Sequence, residues 1–562
     1  MIGVIAKETE RRAAEEFFQL FKTPWEFYLP HRSYEFVVAT CEDIPSDVIT
    51  CAMVVYGSNC AGVDGDVGAV TKSSRDYQWL EWNGVEFPVY GHLAVFKPAD
   101  RPLVSHKGTG GTVGVESRRS ALPTVRLGYD LFHEVSFLLS QGQPAKNAHI
   151  PTLEIHVSLL RSCMLSAGVP FVEVPPVPAG FEFMACLTHD VDFTGIREHK
   201  FDSTMWGFVY RALVGSLVGS LKRRVPWSKC RKNWQAVFSL PLVCLGLKDD
   251  FWLEFDRYME IEQDLGSTFF FIPFKNHAGT RDSRQAPKRR AAKYDLSKMQ
   301  RQVCNLIENG CEVGLHGIDA WQDTERAEAE RRRICEITGE TEVGTRMHWL
   351  YFAENSPKVL EEAGFCYDST FGYNDAVGFR GGTAQVFCMK PARSVLELPL
   401  AIQDTALFYP DRMNLSETEA MDRCKSLIWQ TAIFGGALTV NWHTRSLSPE
   451  RLWGEFYCAL LKEMRKYRVW FGTAQQVVNW FRARRALRFE QVQFAGDSLH
   501  LKMAGLSLNG LPPFVVRVHH PAGSISAGDT TASARPLYSD ISWKGEAELH
   551  WFNHRAAESY IL

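Results

Sequence analysis

Leu187-Thr188-His189-Asp190-Val191-Asp192 closes an apolar run, Glu182-Phe183-Met184-Ala185-Cys186-Leu187-Thr188, with carboxylates on alternate residues. On a strand, residues i and i+2 share a face, so Asp190 and Asp192 point into one cleft at the strand's C-terminal end. Two carboxylates that close resist ionising together unless a cation or an arginine lies between them. The same pattern suits a solvated strand-to-loop turn, so its meaning depends on how the later strands end.

Downstream, strand and helix signals alternate. The run 267–272 is continuously apolar and closed by Pro273, and Met299, Val303, Leu306 and Ile307 follow a helical period up to Gly310. A short strand is read over 312–315. Ser356-Pro357 supplies an N-cap and a first-turn proline to a helix ending at Gly364. Further strands are read over 396–400, 437–442 and 468–471, with helices over 449–465 and from a Thr473 cap to 485. Such alternation implies parallel strands with helical crossovers, as a barrel or a doubly wound sheet.

Upstream, Val174-Pro175-Pro176-Val177-Pro178-Ala179-Gly180 is a stiff linker that fits neither a helix nor a central strand. Apolar stretches at 34–39 and 48–56 and helical patterns at 129–139 and 153–167 precede it. From about 489 the pattern changes to short alternating runs, at 498–503, 514–518 and 547–552, broken by Gly and Pro. The expected layout is an α/β domain over 1–175, the alternating α/β domain over 181–486, and a small β-sandwich-like domain over 487–562.

The 562 residues are 45% hydrophobic and 23% charged with a net charge of −3, a balance that points to neither a nucleic-acid partner nor an anionic surface. Met1-Ile2-Gly3-Val4-Ile5-Ala6-Lys7-Glu8 becomes charged too early for a signal peptide. No apolar stretch has transmembrane length. Fourteen cysteines lack CxxC spacing, and Cys186, Cys304 and Cys335 stand where small core residues belong. A reduced, cytoplasmic setting is the expectation.

In parallel α/β folds the site lies beyond the C-terminal ends of the strands. The polar residues there are Asp190 and Asp192, His316 after Cys311-Glu312-Val313-Gly314-Leu315, and Arg346 and His348 in Gly344-Thr345-Arg346-Met347-His348-Trp349. Asp404 follows Leu398-Pro399-Leu400-Ala401-Ile402-Gln403, and His443 follows Leu438-Thr439-Val440-Asn441-Trp442. Five strands ending this way form a constellation able to hold a divalent cation and an acid/base pair.

These segments resemble the polysaccharide deacetylase family (NodB homology, carbohydrate esterase 4-like). Thr188-His189-Asp190-Val191-Asp192 stands where that family has Thr-Phe-Asp-Asp-Gly, and Glu312-Val313-Gly314-Leu315-His316-Gly317 resembles its second motif. Arg346 falls in the third, and Asp404 and Trp442-His443 resemble the fourth and the closing Leu-x-His. The resemblance, over about 181–485, implies a distorted (β/α) barrel and metal-dependent removal of an acetyl group from an amino sugar or glycan precursor, N-acetyl ahead of O-acetyl. It implies Asp190 as general base, and Asp192 and His316 as ligands of a divalent metal, zinc first. His443 is the candidate acid, because an amide nitrogen leaves only when protonated. Asp404 would fix the tautomer of His443, and Arg346 would keep Asp190 ionised.

Two departures from the family pattern bear on the metal. Ala320 occupies the position of a second histidine four residues after His316, so Asp319, one residue short, or His348, in place of a usual proline, is the candidate third ligand. Val191-Asp192 replaces Asp-Gly and shifts the carboxylate by one residue. The same barrel also suits a metal-independent C–N amide hydrolase, or a non-catalytic glycan-binding protein in exopolysaccharide synthesis.

Elsewhere, Gly57-Ser58-Asn59-Cys60-Ala61-Gly62 and Gly108-Thr109-Gly110-Gly111 match no phosphate-binding loop and read as turns. Lys222-Arg223-Arg224 follows an amphipathic stretch over 208–221, which reads as a lid helix with a basic end or as a contact to a membrane surface or anionic glycan. Lys288-Arg289-Arg290 reads as a charged face. Trp321, Trp349, Tyr351 and Trp442 lie near the motifs, as sugar-stacking or core residues.

Overall fold

The computed structural model describes every residue except 41–43, 60–70, 74–77, 99–101, 118–121, 222–225, 280–289, 496–497, 506–507, 522–537, 544–549 and 554–562. Lys222-Arg223-Arg224 and Lys288-Arg289, together with parts of the runs 57–62 and 547–552, lie outside the described residues. No helix among the described residues is long and apolar enough to cross a membrane.

The chain forms two compact units, where the sequence suggested three successive domains. One comprises 181–380 and 384–479. Its strands are β1 (Phe183–Val191), β2 (Ser267–Phe271), β3 (Glu312–Gly317), β4 (Thr345–Met347), β5 (Tyr367–Asp368), β6 (Leu396–Glu397), β7 (Leu400–Gln403), β8 (Ala437–Asn441) and β9 (Val469–Phe471). They form one sheet in the order β6-β5-β4-β3-β2-β1-β8-β7, with β9 also beside β1, and every pairing is parallel.

This sheet must curl. β6 and β7 stand at opposite ends of the hydrogen-bonded order, yet only Leu398-Pro399 separates them. Laid flat, eight neighbouring strands would hold their edges about 34 Å apart, whereas the three Cα–Cα steps from Glu397 to Leu400 reach at most about 11 Å. Curling brings the C-terminal ends of the strands around one mouth. The single strand read over 396–400 is therefore two, broken at Pro399, which has no N–H to give a ladder.

Side-chain alternation on β1 decides what faces that mouth. Phe183, Ala185, Leu187 and Val191 belong to the core that the surrounding helices cover. Leu187→Ala would cost about 2–5 kcal/mol there. The residues of opposite parity, Thr188, Asp190 and Asp192, then point to the other face. His189 shares the core-side parity: its Nδ1 donates to Trp442 O (2.8 Å), and its Nε2 lies 3.1 Å from Glu262 Oε2.

The crossover helices begin and end on local signals. Thr324–Thr338 starts on an Asp323 cap that accepts from the Arg326 N–H and stops at Gly339, whose φ of 77° favours glycine. Glu417–Phe434 opens with a Ser416/Glu419 capping box. Ser356 is the first residue of Ser356–Glu362, with Asn355 the cap, one position from the sequence expectation. Gly454–Met464 starts later than expected. Cys186 is buried as expected, but Cys304 is exposed, on the outward side of Gln300–Glu308.

The second unit comprises 1–180, 381–383 and 480–562. Its nine-stranded mixed sheet runs from Trp25–Phe27 through Ile2–Ile5, Ser33–Ala39 and Ile49–Tyr56 to Val85–Val89. The C-terminal stretch joins this unit instead of standing alone. Phe171–Glu173 pairs antiparallel with Phe514–His519, and the Arg484 guanidinium donates to Val174 O, Gln19 O and Leu20 O. Pairing across more than 300 residues leaves no local signal in the sequence.

Candidate active site

Asp190 is buried and held on both oxygens. Arg346 Nη1 donates to its Oδ1 at 3.1 Å, and Asn441 Nδ2 donates to its Oδ2 at 2.7 Å. Asn441 Oδ1 in turn accepts the Asp190 N–H at 3.3 Å, because β8 runs beside β1 with Thr188 opposite Asn441. Burial alone would raise the Asp190 carboxyl, but the charges of His316, Arg346 and His443 outweigh it and keep it below the ordinary carboxylate range.

Arg346 is itself fixed. Its Nη1 also donates to Thr188 Oγ1 (2.7 Å), its Nη2 to Ser369 Oγ (2.9 Å) and its Nε to Ser369 O (3.0 Å), and the guanidinium lies 4.7 Å from the Phe270 ring centroid. Two buried carboxyls, Asp368 and Glu397, complete its surroundings. Burial raises both, Asp368 to about 6 and Glu397 well above the ordinary value.

Beside Asp190 three potential ligands converge. His316 Nε2 and His348 Nδ1 are 2.9 Å apart, and Asp192 Oδ1 lies 3.3 Å from the first and 3.2 Å from the second. His316 Nδ1 lies 2.9 Å from Arg346 O, a carbonyl that can only accept, so Nδ1 carries the proton and Nε2 keeps its lone pair facing the other two atoms. Asp192 Oδ1 is sealed from solvent and makes no hydrogen bond. Three ligands bound to one zinc ion at about 2.0–2.1 Å lie about 3.0–3.5 Å from one another. The donor set therefore fits a divalent cation in both spacing and chemistry: two imidazole nitrogens and a carboxylate, all within 4.8 Å of one another. Burial would raise the Asp192 carboxyl, yet the surrounding imidazoles, His348 foremost, hold it well below its ordinary value.

On the other side of Asp192, His443 Nε2 lies 3.8 Å from Asp192 Oδ2. Asp404 Oδ1 lies 2.6 Å from His443 Nδ1, and Asp404 Oδ2 accepts the His443 N–H (2.8 Å) and the Ser446 hydroxyl. Burial would lower the imidazole, but the Asp404 carboxylate overcomes it and pushes His443 up to about 9.

Seven of the eight residues expected from the sequence thus meet at one mouth. Asp319 does not join them. Glu330 accepts the backbone N–H groups of Ile318 (2.9 Å) and Asp319 (2.7 Å), and the Asp319 carboxylate turns to His277 Nε2 (3.1 Å). Three holding residues escaped the sequence reading: Asn441, Thr188 and Ser369. They are ordinary polar residues of strands and turns: Thr188 opens the first motif and Asn441 adjoins the Trp442-His443 pair, but neither was assigned a role, and Ser369 lies in no motif.

Of the aromatic residues near the motifs, Trp442 is core, stacked on Phe456 and Tyr457. Trp349 differs: it directly follows His348, adopts a left-handed φ of 65° and is 36% exposed. A tryptophan held in that conformation stores strain, of order 1–3 kcal/mol, which the surrounding structure must support.

No protein-family model matches this chain, and no curated protein matches it. Among solved structures, it is similar to a Mycobacterium smegmatis protein assigned as a polysaccharide deacetylase, at 19% identity over 56% of this chain and 96% of that one, with a TM-score of 0.34. A Pseudomonas aeruginosa protein with the same assignment shows 17% identity over 41% and 72%, TM-score 0.30, and an allantoinase shows 14% over 55% and 93%, TM-score 0.32. At such identities and TM-scores these likenesses carry no weight for function, which has to come from the side chains themselves.

Proposed function

We propose that this chain is a metal-dependent hydrolase that removes an acetyl group from the nitrogen of an amino sugar or glycan precursor. One observation carries the reading: Asp192 Oδ1, His316 Nε2 and His348 Nδ1 face one another at 2.9–3.3 Å, flanked by Asp190 and His443. A divalent cation held by those three atoms, zinc by preference, would polarise the acyl carbonyl and acidify water.

The remaining chemistry belongs to the chain's own groups. Asp190, kept ionised by Arg346 and oriented by Asn441, takes the proton that the attacking water gives up. His443 donates a proton from Nε2 to the departing nitrogen, and Asp404 at Nδ1 steadies its charged form. Two groups with separated proton affinities, one below its ordinary value and one raised to about 9, form the acid/base pair this hydrolysis needs at neutral pH. An imidazolium that persists to about 9 favours an amine leaving group over an alcohol, since the amine cannot depart unprotonated. Trp349, exposed beside His348, offers a flat face for a sugar ring.

Acetate release from a panel of N-acetylated amino sugars tests this reading. The wild type should turn over, and Asp190→Asn should lose about 10²–10⁴-fold in kcat. Equal inertness of the two proteins across the panel would remove the enzymatic reading, and turnover that survives complete metal removal would remove the cation.

A further inference from the structure

Between β1 and β2 the chain inserts two antiparallel helical segments that are apolar on their exposed sides as well as in the core between them. The first runs through Ser203–Tyr210, a π turn at Arg211–Gly215 and Ser216–Leu221, and the second is Trp227–Cys244. They pack on each other through a shared core of Met205, Phe208, Ala212, Ala236, Leu240 and Val243, and Ser216 Oγ lies 3.4 Å from Cys230 Sγ. A second set of large apolar residues points outward. Trp206, Tyr210, Val214, Val218 and Leu221 recur at three- and four-residue spacing along one exposed stripe, and Phe238, Leu242 and Leu245 form a second. Tyr210 is 64% and Phe238 73% exposed.

Concentration makes this more than scattered surface hydrophobicity. Twelve of the eighteen large apolar residues exposed among the described residues lie between Phe201 and Leu253, under a tenth of the chain. Scattered exposed apolar residues need no explanation, but a contiguous set marks an interaction surface.

The charge of the same segment indicates the partner. Residues 203–248 contain eight lysines and arginines and neither aspartate nor glutamate, in a chain whose net charge is −3. Arg211, Lys229 and Lys232 pair with Glu450, Glu417 and Glu455, while Arg231 projects into solvent from the second helix. Exposed tryptophan, tyrosine, phenylalanine and leucine along the two helices of a cationic segment suit the boundary between lipid headgroups and acyl chains. A positive segment adds attraction to anionic lipid, falling off within a Debye length.

We infer that this helical insertion docks the protein on an anionic lipid bilayer, lying in the headgroup region without spanning it. The surface stands independently of the hydrolytic reading, since none of its residues belongs to the metal or acid/base groups.

Co-flotation of the full chain with vesicles tests it, comparing phosphatidylglycerol–phosphatidylcholine mixtures with phosphatidylcholine alone. Binding is expected to the anionic vesicles, weakening as salt rises, with a blue shift of tryptophan emission. The double variant Trp206→Asp/Phe238→Asp is expected to lose about tenfold or more in partitioning. Its circular dichroism should stay unchanged, because both side chains are exposed. Wild-type protein that stays in the aqueous fraction with both vesicle types would overturn the proposal. So would a dimer, seen by sedimentation velocity in the wild type and lost in the double variant, because a second copy would then cover the stripe.

Discussion

Asp404 grips His443 at two points, with Oδ1 2.6 Å from the ring Nδ1 and Oδ2 accepting the backbone N–H at 2.8 Å. Burial opposes a charged imidazole here, so the raised value of about 9 measures how far the carboxylate wins. The charged pair stabilises the fold fully below the ordinary histidine value of about 6.5, and this contribution is lost as pH rises through about 9.

Activity should follow the same titration. With Asp190 held below its ordinary range, hydrolysis is expected to plateau through neutral pH and to fall as His443 loses its proton near 9. Asp404→Asn should draw that upper limb down by about two pH units, toward the ordinary histidine value. A kcat–pH profile of the two proteins checks this, and an unmoved upper limb would dissociate His443 from proton donation.

Asn441 holds the general base from both its amide oxygen and its amide nitrogen. Asn441→Ala should therefore lower kcat by about 10–100-fold with little change in KM, because it loosens Asp190 without touching where substrate binds. Asn441→Asp places a second negative charge against Asp190 and should move the acidic limb of the profile upward. If kcat changes by less than twofold in both variants, the positioning role assigned to Asn441 fails.

Arg346 bonds Asp190 directly, and its charge also acts on the buried carboxyls of Asp368 and Glu397. Removing it leaves buried charge uncompensated, so Arg346→Ala is expected to cost about 3–5 kcal/mol of stability as well as activity. Arg346→Lys keeps the charge but cannot reach Thr188, Ser369 and Asp190 together, and should recover only part of the loss. Urea unfolding of the three proteins gives the comparison, and an Arg346→Ala protein as stable as wild type would contradict it.

Trp349 follows His348 in the chain and is partly exposed, its ring centroid 5.7 Å from that of the His348 imidazole. Trp349→Ala is expected to raise KM for an amino sugar by about 2–12-fold while leaving kcat nearly intact, the signature of a lost stacking face. A fall in kcat at constant KM would instead assign it to holding His348.

What the sequence disclosed follows from the distance over which each signal acts. Asp190 and Asp192 were legible because strand parity is local, and His316, Asp404 and His443 because each ends a strand with a strong apolar pattern. The choice between Asp319 and His348 was not. It turns on Glu330, a residue on a later helix that captures two backbone N–H groups and swings Asp319 toward His277. Thr188, Ser369 and Asn441 matter through bonds to residues 23 to 251 positions away, which no window of sequence reveals. The pairing of Phe514–His519 with Phe171–Glu173 was illegible for the same reason.

Metal content is the most direct check on the centre, read as zinc per chain by plasma mass spectrometry after dialysis. Wild type and Asp319→Ala should each hold one ion, and His348→Ala should hold almost none, because His348 Nδ1 faces Asp192 and His316 while Asp319 faces His277. A His348→Ala protein that keeps its full complement, or an Asp319→Ala protein that loses it, would contradict the ligand set.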